Sequence, residues 1–336
     1  MRTRSSRPHG LPARQLAIGN AAFTLVEILV TVSLLAIITL GLFAVFNQVQ
    51  RAFRSSMNQV DQAESGRAVT GMIPAELEQT TPCEANAVTF AAQIIGNLAP
   101  FSAPLKQNLP GTATTPMQRT NLLEDCFMLQ RQNQSWIGIG YCVRTNDANG
   151  NLWLPEAGSG QLGVGSLYRF SVVTNVLMNN GMPNDPGQLY ALFKTASQNG
   201  SPAISNRICD GVIHFYLAAF ATNGYPIITD GVHTNAYFRP DAITFNPRYS
   251  IVHPARVDSS FAYPGRLAAL YFWSNAVPAS VELQLGILEQ HALERYNAIG
   301  DATARLNYLQ RDDIASRVIL FRQRIPIRNV NLQAYQ

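Results

Sequence analysis

The chain has 336 residues, 47% hydrophobic and 14% charged, with a formal net charge of +4. That length allows one large or two modest domains. Four of the positive charges, Arg2, Arg4, Arg7 and Arg14, lie in the first 22 residues, which contain no acid, so the remainder is near neutral and carries no basic patch of the kind nucleic-acid binding requires.

Residues 1–22 are polar, arginine-rich and interrupted by Pro8 and Pro12, and they read as an unstructured leader. An apolar run follows over 23–46, and Glu27 is its only ionisable side chain. As a helix at ~1.5 Å per residue the run reaches roughly 36 Å, enough to cross a ~30 Å hydrocarbon core with some tilt. A carboxylate one turn into such a helix is costly unless something pairs with it. A secretory signal would place its small-residue site after the apolar region. Here Asn20-Ala21-Ala22 precede it, so cleavage there retains the helix. A plain membrane anchor would need neither Glu27 nor the residues around it.

Beyond Phe46 the pattern becomes amphipathic. Val49, Phe53, Met57 and Val60 share one helical face, with Arg51, Arg54, Asp61, Glu64 and Arg67 around the rest. This face is expected to pack on the protein's own sheet, as surface helices normally do, the alternative being a partner groove. Gly66 and Gly71 weaken the helix, and Pro74 is expected to interrupt or kink it before it ends near residue 79.

From Cys83 onward the chain is β-rich. Strands are predicted over 87–95, 122–131, 136–144, 166–173, 189–193, 208–221, 267–273, 279–288 and 318–325. Residues 100–116 read as a loop and 222–265 as a long insertion with little regular structure. Helices are predicted over 289–296 and 302–314. The fold class is therefore α+β: a long N-terminal helix over 23–79, membrane-spanning over 23–46, followed by a β-rich head over 80–336.

Cys83, Cys126, Cys142 and Cys209 show no C-x-x-C pair and no zinc spacing. Four cysteines allow three connectivities. A hairpin turning at 132–135 sets Cys126 nearly opposite Cys142, which favours that bridge and leaves Cys83–Cys209; free buried thiols are the alternative. Gly158-Ser159-Gly160-Gln161-Leu162-Gly163 matches a dinucleotide fingerprint in letters only, because a strand rather than a helix follows it; it reads as a loop. Asp147, Asn149 and Asn151 alternate like the start of a calcium loop, but the closing Glu is missing, so they read as a turn. His214, His233, His253 and His291 lack metal spacing, and His214, in an apolar strand, is expected to be a satisfied core histidine. No G-x-S-x-G elbow occurs. Neither a cofactor, a metal nor a catalytic residue is expected.

Phe23-Thr24-Leu25-Val26-Glu27, behind a basic leader and ahead of an apolar helix, resembles the prepilin family of type IV pilins and type II secretion pseudopilins. The resemblance implies cleavage between Ala22 and Phe23, N-methylation of Phe23, and an assembly role for Glu27 at the fifth mature position. Ala22 stands where the family usually has Gly, and a small residue suits that subsite. The late segment Tyr271-Phe272-Trp273-Ser274-Asn275-Ala276-Val277-Pro278-Ala279-Ser280-Val281-Glu282-Leu283 is similar to J-type pseudopilins and W-type pilins. With the closing Leu320-Phe321-Arg322-Gln323-Arg324-Ile325-Pro326-Ile327 it also resembles prepilin-like cassette proteins common in Verrucomicrobia. The family implies a pilin-like head and a non-enzymatic minor subunit at or near a filament tip. The implied partners are other minor and major pilins or pseudopilins, the prepilin peptidase and the inner membrane, without nucleic acid. The implied location is a single pass with a cytoplasmic N-terminus and a periplasmic head, then a pseudopilus or pilus. A pilin-mounted adhesin or ligand-binding tip protein is the alternative, and a membrane-anchored periplasmic enzyme a weaker one.

Overall fold

The computed structural model describes residues 24–83, 87–95, 103–111, 117–133, 135–146, 151–158, 160–174, 186–198, 205–222, 224, 226, 249–252, 269–273 and 276–330. An N-terminal apolar helix is followed by a strand-rich globular domain. The chain divides into two compact units, residues 1–56 and 57–336. Helix α1, Leu25–Leu77, supplies the described part of the first unit and the opening of the second.

In the first unit the helix is apolar on all sides as far as Phe46 apart from Glu27, and its large hydrophobic side chains from Leu25 to Phe53 are 50–79% exposed. The stretch Leu25–Arg54 is long and apolar enough to cross a membrane. Its hydroxyls are satisfied within the helix: Thr31 donates to Ile28 O at 2.9 Å, Ser33 to Leu29 O at 2.7 Å, and Thr39 to Leu35 O at 2.9 Å. Such back-bonding suits a segment whose polar groups cannot turn to water. Of the stripe Val49, Phe53, Met57 and Val60, the two residues in the second unit, Met57 and Val60, do not pack on the protein's own sheet as expected; both are more than half exposed.

In the second unit α1 changes character. Gln62, Gly66, Val69, Ile73 and Leu77 recur at helical spacing and are buried. Gly66 permits the close approach, since a Cβ there would stand 2.1 Å from the Phe321 ring. The helix does not break at Pro74; it continues to Leu77, where Glu78 N–H donates to Pro74 O at 2.9 Å.

The head is built on a ten-stranded sheet in the order β11-β12-β1-β4-β5-β9-β10-β13-β14, with β6 on β5. The strands in that order are β11 (Tyr249–Val252), β12 (Ala269–Trp273), β1 (Val88–Ile94), β4 (Glu124–Gln132), β5 (Ser135–Asn146), β9 (Gly165–Val173), β10 (Ser205–Phe220), β13 (Ser280–Leu288) and β14 (Val318–Pro326); β6 is Leu152–Trp153. Its strand pairs are antiparallel. One face packs Phe90, Met128, Phe215 and Leu283 against Val69, Ile73 and Leu77 of α1. The opposite face of β4, β5 and β9 carries Phe127 and Phe170 under α2 (Gly187–Gln198). A third cluster gathers α3 (Gln290–Ala298), α4 (Ala302–Gln310) and α5 (Asp312–Ala315) around Ile213 and Leu288.

Several expectations are corrected. The strand predicted over 189–193 is the helix α2, because Leu189, Phe193 and Ala196 recur every three to four residues and bury one face. The loop predicted over 100–116 contains β2 (Leu105–Asn108), which pairs with β3 (Gln118–Asn121). The hairpin is held by side chains that cap helices: Gln107 Nε2 donates to Leu309 O at 2.8 Å, and Arg119 Nη2 donates to Ala315 O at 3.2 Å. The helix predicted over 302–314 is split at Arg311, whose ψ of 141° is extended. Within the predicted insertion 222–265 lies β11, and most of the rest of that insertion falls outside the described residues. The G-x-G-x-x-G stretch is a small hairpin, β7 (Glu156–Gly158) against β8 (Gln161–Leu162), not a loop. Asp147 and Asn149 lie outside the described residues.

Candidate functional site

The start of α1 is the candidate site. Ala22 and Phe23 fall outside the described residues, which begin at Thr24. Thr24 caps the helix: Glu27 N–H donates to Thr24 O at 3.0 Å and to Thr24 Oγ1 at 3.3 Å, and Ile28 N–H to Thr24 O at 3.2 Å. Thr24-Leu25-Val26-Glu27 is thus a helix-capping sequence. Glu27 lies in the first turn, where the helix dipole favours a negative charge. Its carboxylate has no hydrogen-bond or ion-pair partner among the described residues and projects from a helix surrounded by exposed Leu25, Val26, Ile28, Leu29 and Val30.

The other end of α1 is tied down by polar contacts that sequence reading missed. Arg169 Nε and Nη2 donate to Glu76 Oε1 at 2.9 and 2.6 Å, and Tyr141 donates its hydroxyl proton to Glu76 Oε2. Burial and the Glu76 carboxylate together push the Tyr141 hydroxyl well above the ordinary tyrosine range, so it stays a donor. Gln130 Nε2 donates to Glu76 O at 2.6 Å, and Gln62 Nε2 to Ile287 O at 2.6 Å. A helical acid facing an arginine in a strand leaves no periodic mark, so sequence offered no signal for Glu76.

The cysteines do not form the expected bridges. Cys126, Cys142 and Cys209 are buried free thiols. In the β4–β5 hairpin Gln132 pairs with Ser135, leaving a two-residue turn in which Asn133 takes a φ of 55°. That register sets Cys126 opposite Tyr141, so Cys142 points to the other face of the sheet. Because Cys209 is free, the Cys83–Cys209 bridge is not formed either; Cys83 is buried beside β1. Burial pushes the Cys142 and Cys209 thiols up to about 12 and Cys126 well above its ordinary value, which keeps them protonated and unreactive.

In the head, a cleft of about 510 Å³ is lined by Gln62, Ser65, Arg207, Cys209, Asp210 and Gln290, among others. Its charged groups are already committed to each other: Arg207 Nη2 pairs with Asp210 Oδ2 at 2.5 Å, and Ser166 Oγ donates to Asp210 Oδ1 at 2.7 Å. A second ion pair, Arg144 with Asp125 at 2.5 and 2.8 Å, is buried, and its Nε donates to Ser197 O at 2.8 Å to hold the end of α2. Among the described residues no three His, Cys, Asp or Glu side chains could hold a metal ion. No protein family, curated protein or solved structure matches this chain.

Proposed function

We propose that this protein is a minor pilin or pseudopilin subunit, non-enzymatic, with a pilin-like head, cut between Ala22 and Phe23 and N-methylated on Phe23. In this reading the leader arginines hold the N-terminus in the cytoplasm. The helix spans the inner membrane, and the head faces the periplasm before the subunit joins a pseudopilus or pilus beside other minor and major subunits. A head of this bulk would crowd a repeating helical lattice, which favours a place at or near the tip. The observation that carries the reading is the carboxylate of Glu27, without a partner among the described residues, in the first turn of an exposed apolar helix, together with the sequence Phe23-Thr24-Leu25-Val26-Glu27.

The physical logic is charge pairing in an apolar medium. Cleavage creates a cationic amine four residues before Glu27. An ion buried alone costs several kcal/mol, and a hydrogen-bonded pair far less. Pairing Glu27 of one subunit with the Phe23 amine of its neighbour would satisfy both and fix the axial register. Glu27→Ala is expected to be processed normally yet to be missing from sheared or purified filaments; incorporation at the wild-type level would overturn the assembly role.

A further inference from the structure

The sheet of the head is closed on itself by a short seam. The start of β4 meets the middle of β10 directly, although β5 and β9 separate them in the strand order. Phe215 N–H donates to Leu122 O at 2.8 Å, Leu217 N–H donates to Glu124 Oε2 at 2.7 Å, and Leu122 N–H donates to His214 Nδ1 at 3.0 Å. A backbone N–H can only donate. His214 Nδ1 must therefore present a lone pair, and the ring is neutral with its proton on Nε2. That proton faces Gln284 Oε1 at 3.4 Å. Gln284 Nε2 in turn donates to Glu282 Oε1 at 2.7 Å, and Glu282 takes Arg322 Nε and Nη2 at 2.6 and 3.1 Å. His214 itself is 5% exposed.

We propose that His214 is a pH-sensitive clasp of this seam: protonation at Nδ1 turns the acceptor of the Leu122 N–H into a second donor and opens the junction between β4 and β10. Among the described residues, the titratable and charged groups linked to the ring are Tyr216 on β10, Glu124 on β4, Glu282 on β13 and Arg322 on β14. The two carboxylates would welcome a cation, but each is already engaged. Glu124 holds the Leu217 N–H, and Glu282 holds Arg322 and reaches the ring only through Gln284. The closed seam accepts only the neutral ring, whereas an open histidine takes up a proton below about pH 6.5. The seam's contribution is complete above that pH and is lost as the pH falls below it.

Hydrogen exchange of the full chain in detergent micelles tests this, with rates corrected for intrinsic chemistry. Uptake of one proton on opening predicts that protection over 122–124 and 214–217 falls about tenfold between pH 7.5 and 5.5. H214N keeps an acceptor near the Nδ1 position and cannot be protonated there, so its seam should be equally protected at both pH values. Nitrogen shifts of labelled histidine should report the Nε2–H tautomer at pH 7.5, a readout that stands even if H214N does not fold. Unchanged wild-type protection, an equal loss in H214N, or an Nδ1–H tautomer would each overturn the proposal.

Discussion

Between Leu25 and Ser56 every described side chain of α1 is exposed in the isolated chain, whereas Gln62, Gly66, Val69, Ile73 and Leu77 of the same helix are buried. Apart from Glu27, the first stretch is apolar on every side as far as Phe46, and the hydroxyls of Thr31, Ser33 and Thr39 bond back into the helix. The second stretch is narrow in its apolar face and held by Glu76, Gln62 and a glycine contact. One stretch is long and apolar enough to cross a membrane, and the other buries one face against its own sheet. Helical propensity alone does not distinguish them; what each side chain has to bury against does.

The largest effect that would break this comparison is in the core. Ile73→Ala removes a fully buried side chain from the face under the sheet, and the head should lose roughly 2–5 kcal/mol in urea unfolding of the micelle-bound chain. Ile37→Ala, on an exposed position, should leave the same transition unmoved. Next comes Glu76→Gln, which leaves Arg169 without its carboxylate and weakens the Tyr141 contact; roughly 2–3 kcal/mol should be lost, measured the same way. A smaller contrast separates two glycines. Gly71 has nothing within 4 Å of a built Cβ, so Gly71→Ala should stabilise the head by about 0.5–1 kcal/mol through helix propensity. Gly66→Ala should cancel that gain or reverse it, because the new methyl displaces the Phe321 ring. The smallest effect is chemical: Cys126, Cys142 and Cys209 should resist alkylation in the folded chain and label fully, without reductant, once it is denatured.

Periodicity made much of this fold legible. The long helix, strands β1, β4, β5, β9, β10, β12, β13 and β14, and helix α3 lie close to where alternation or helical spacing put them. The failures have physical causes. The apolar residues at 189–193 fit a strand over five residues and a helix only when Ala196 is included. β2 hides in a Pro- and Thr-rich stretch because its order comes from capping distant helix ends through Gln107, not from its own pattern. The cysteine pairing failed by a single position. The expected turn at 132–135 and the observed one give the same register, Arg131 opposite Trp136 and Cys126 opposite Tyr141, so being nearly opposite put Cys142 one position along, on the other face of the sheet. At the candidate site Glu27 and its motif were visible in the sequence. The capping by Thr24, and the Glu76 tie at the far end of the helix, depend on contacts that have no periodic signature.

The most direct test of the account is the mass of the N-terminal peptide of the protein purified from its native membrane. A peptide beginning with monomethylated Phe23 is the predicted result. A chain that still carries Arg2, Arg4, Arg7 and Arg14, or one that begins beyond the apolar helix, would contradict it.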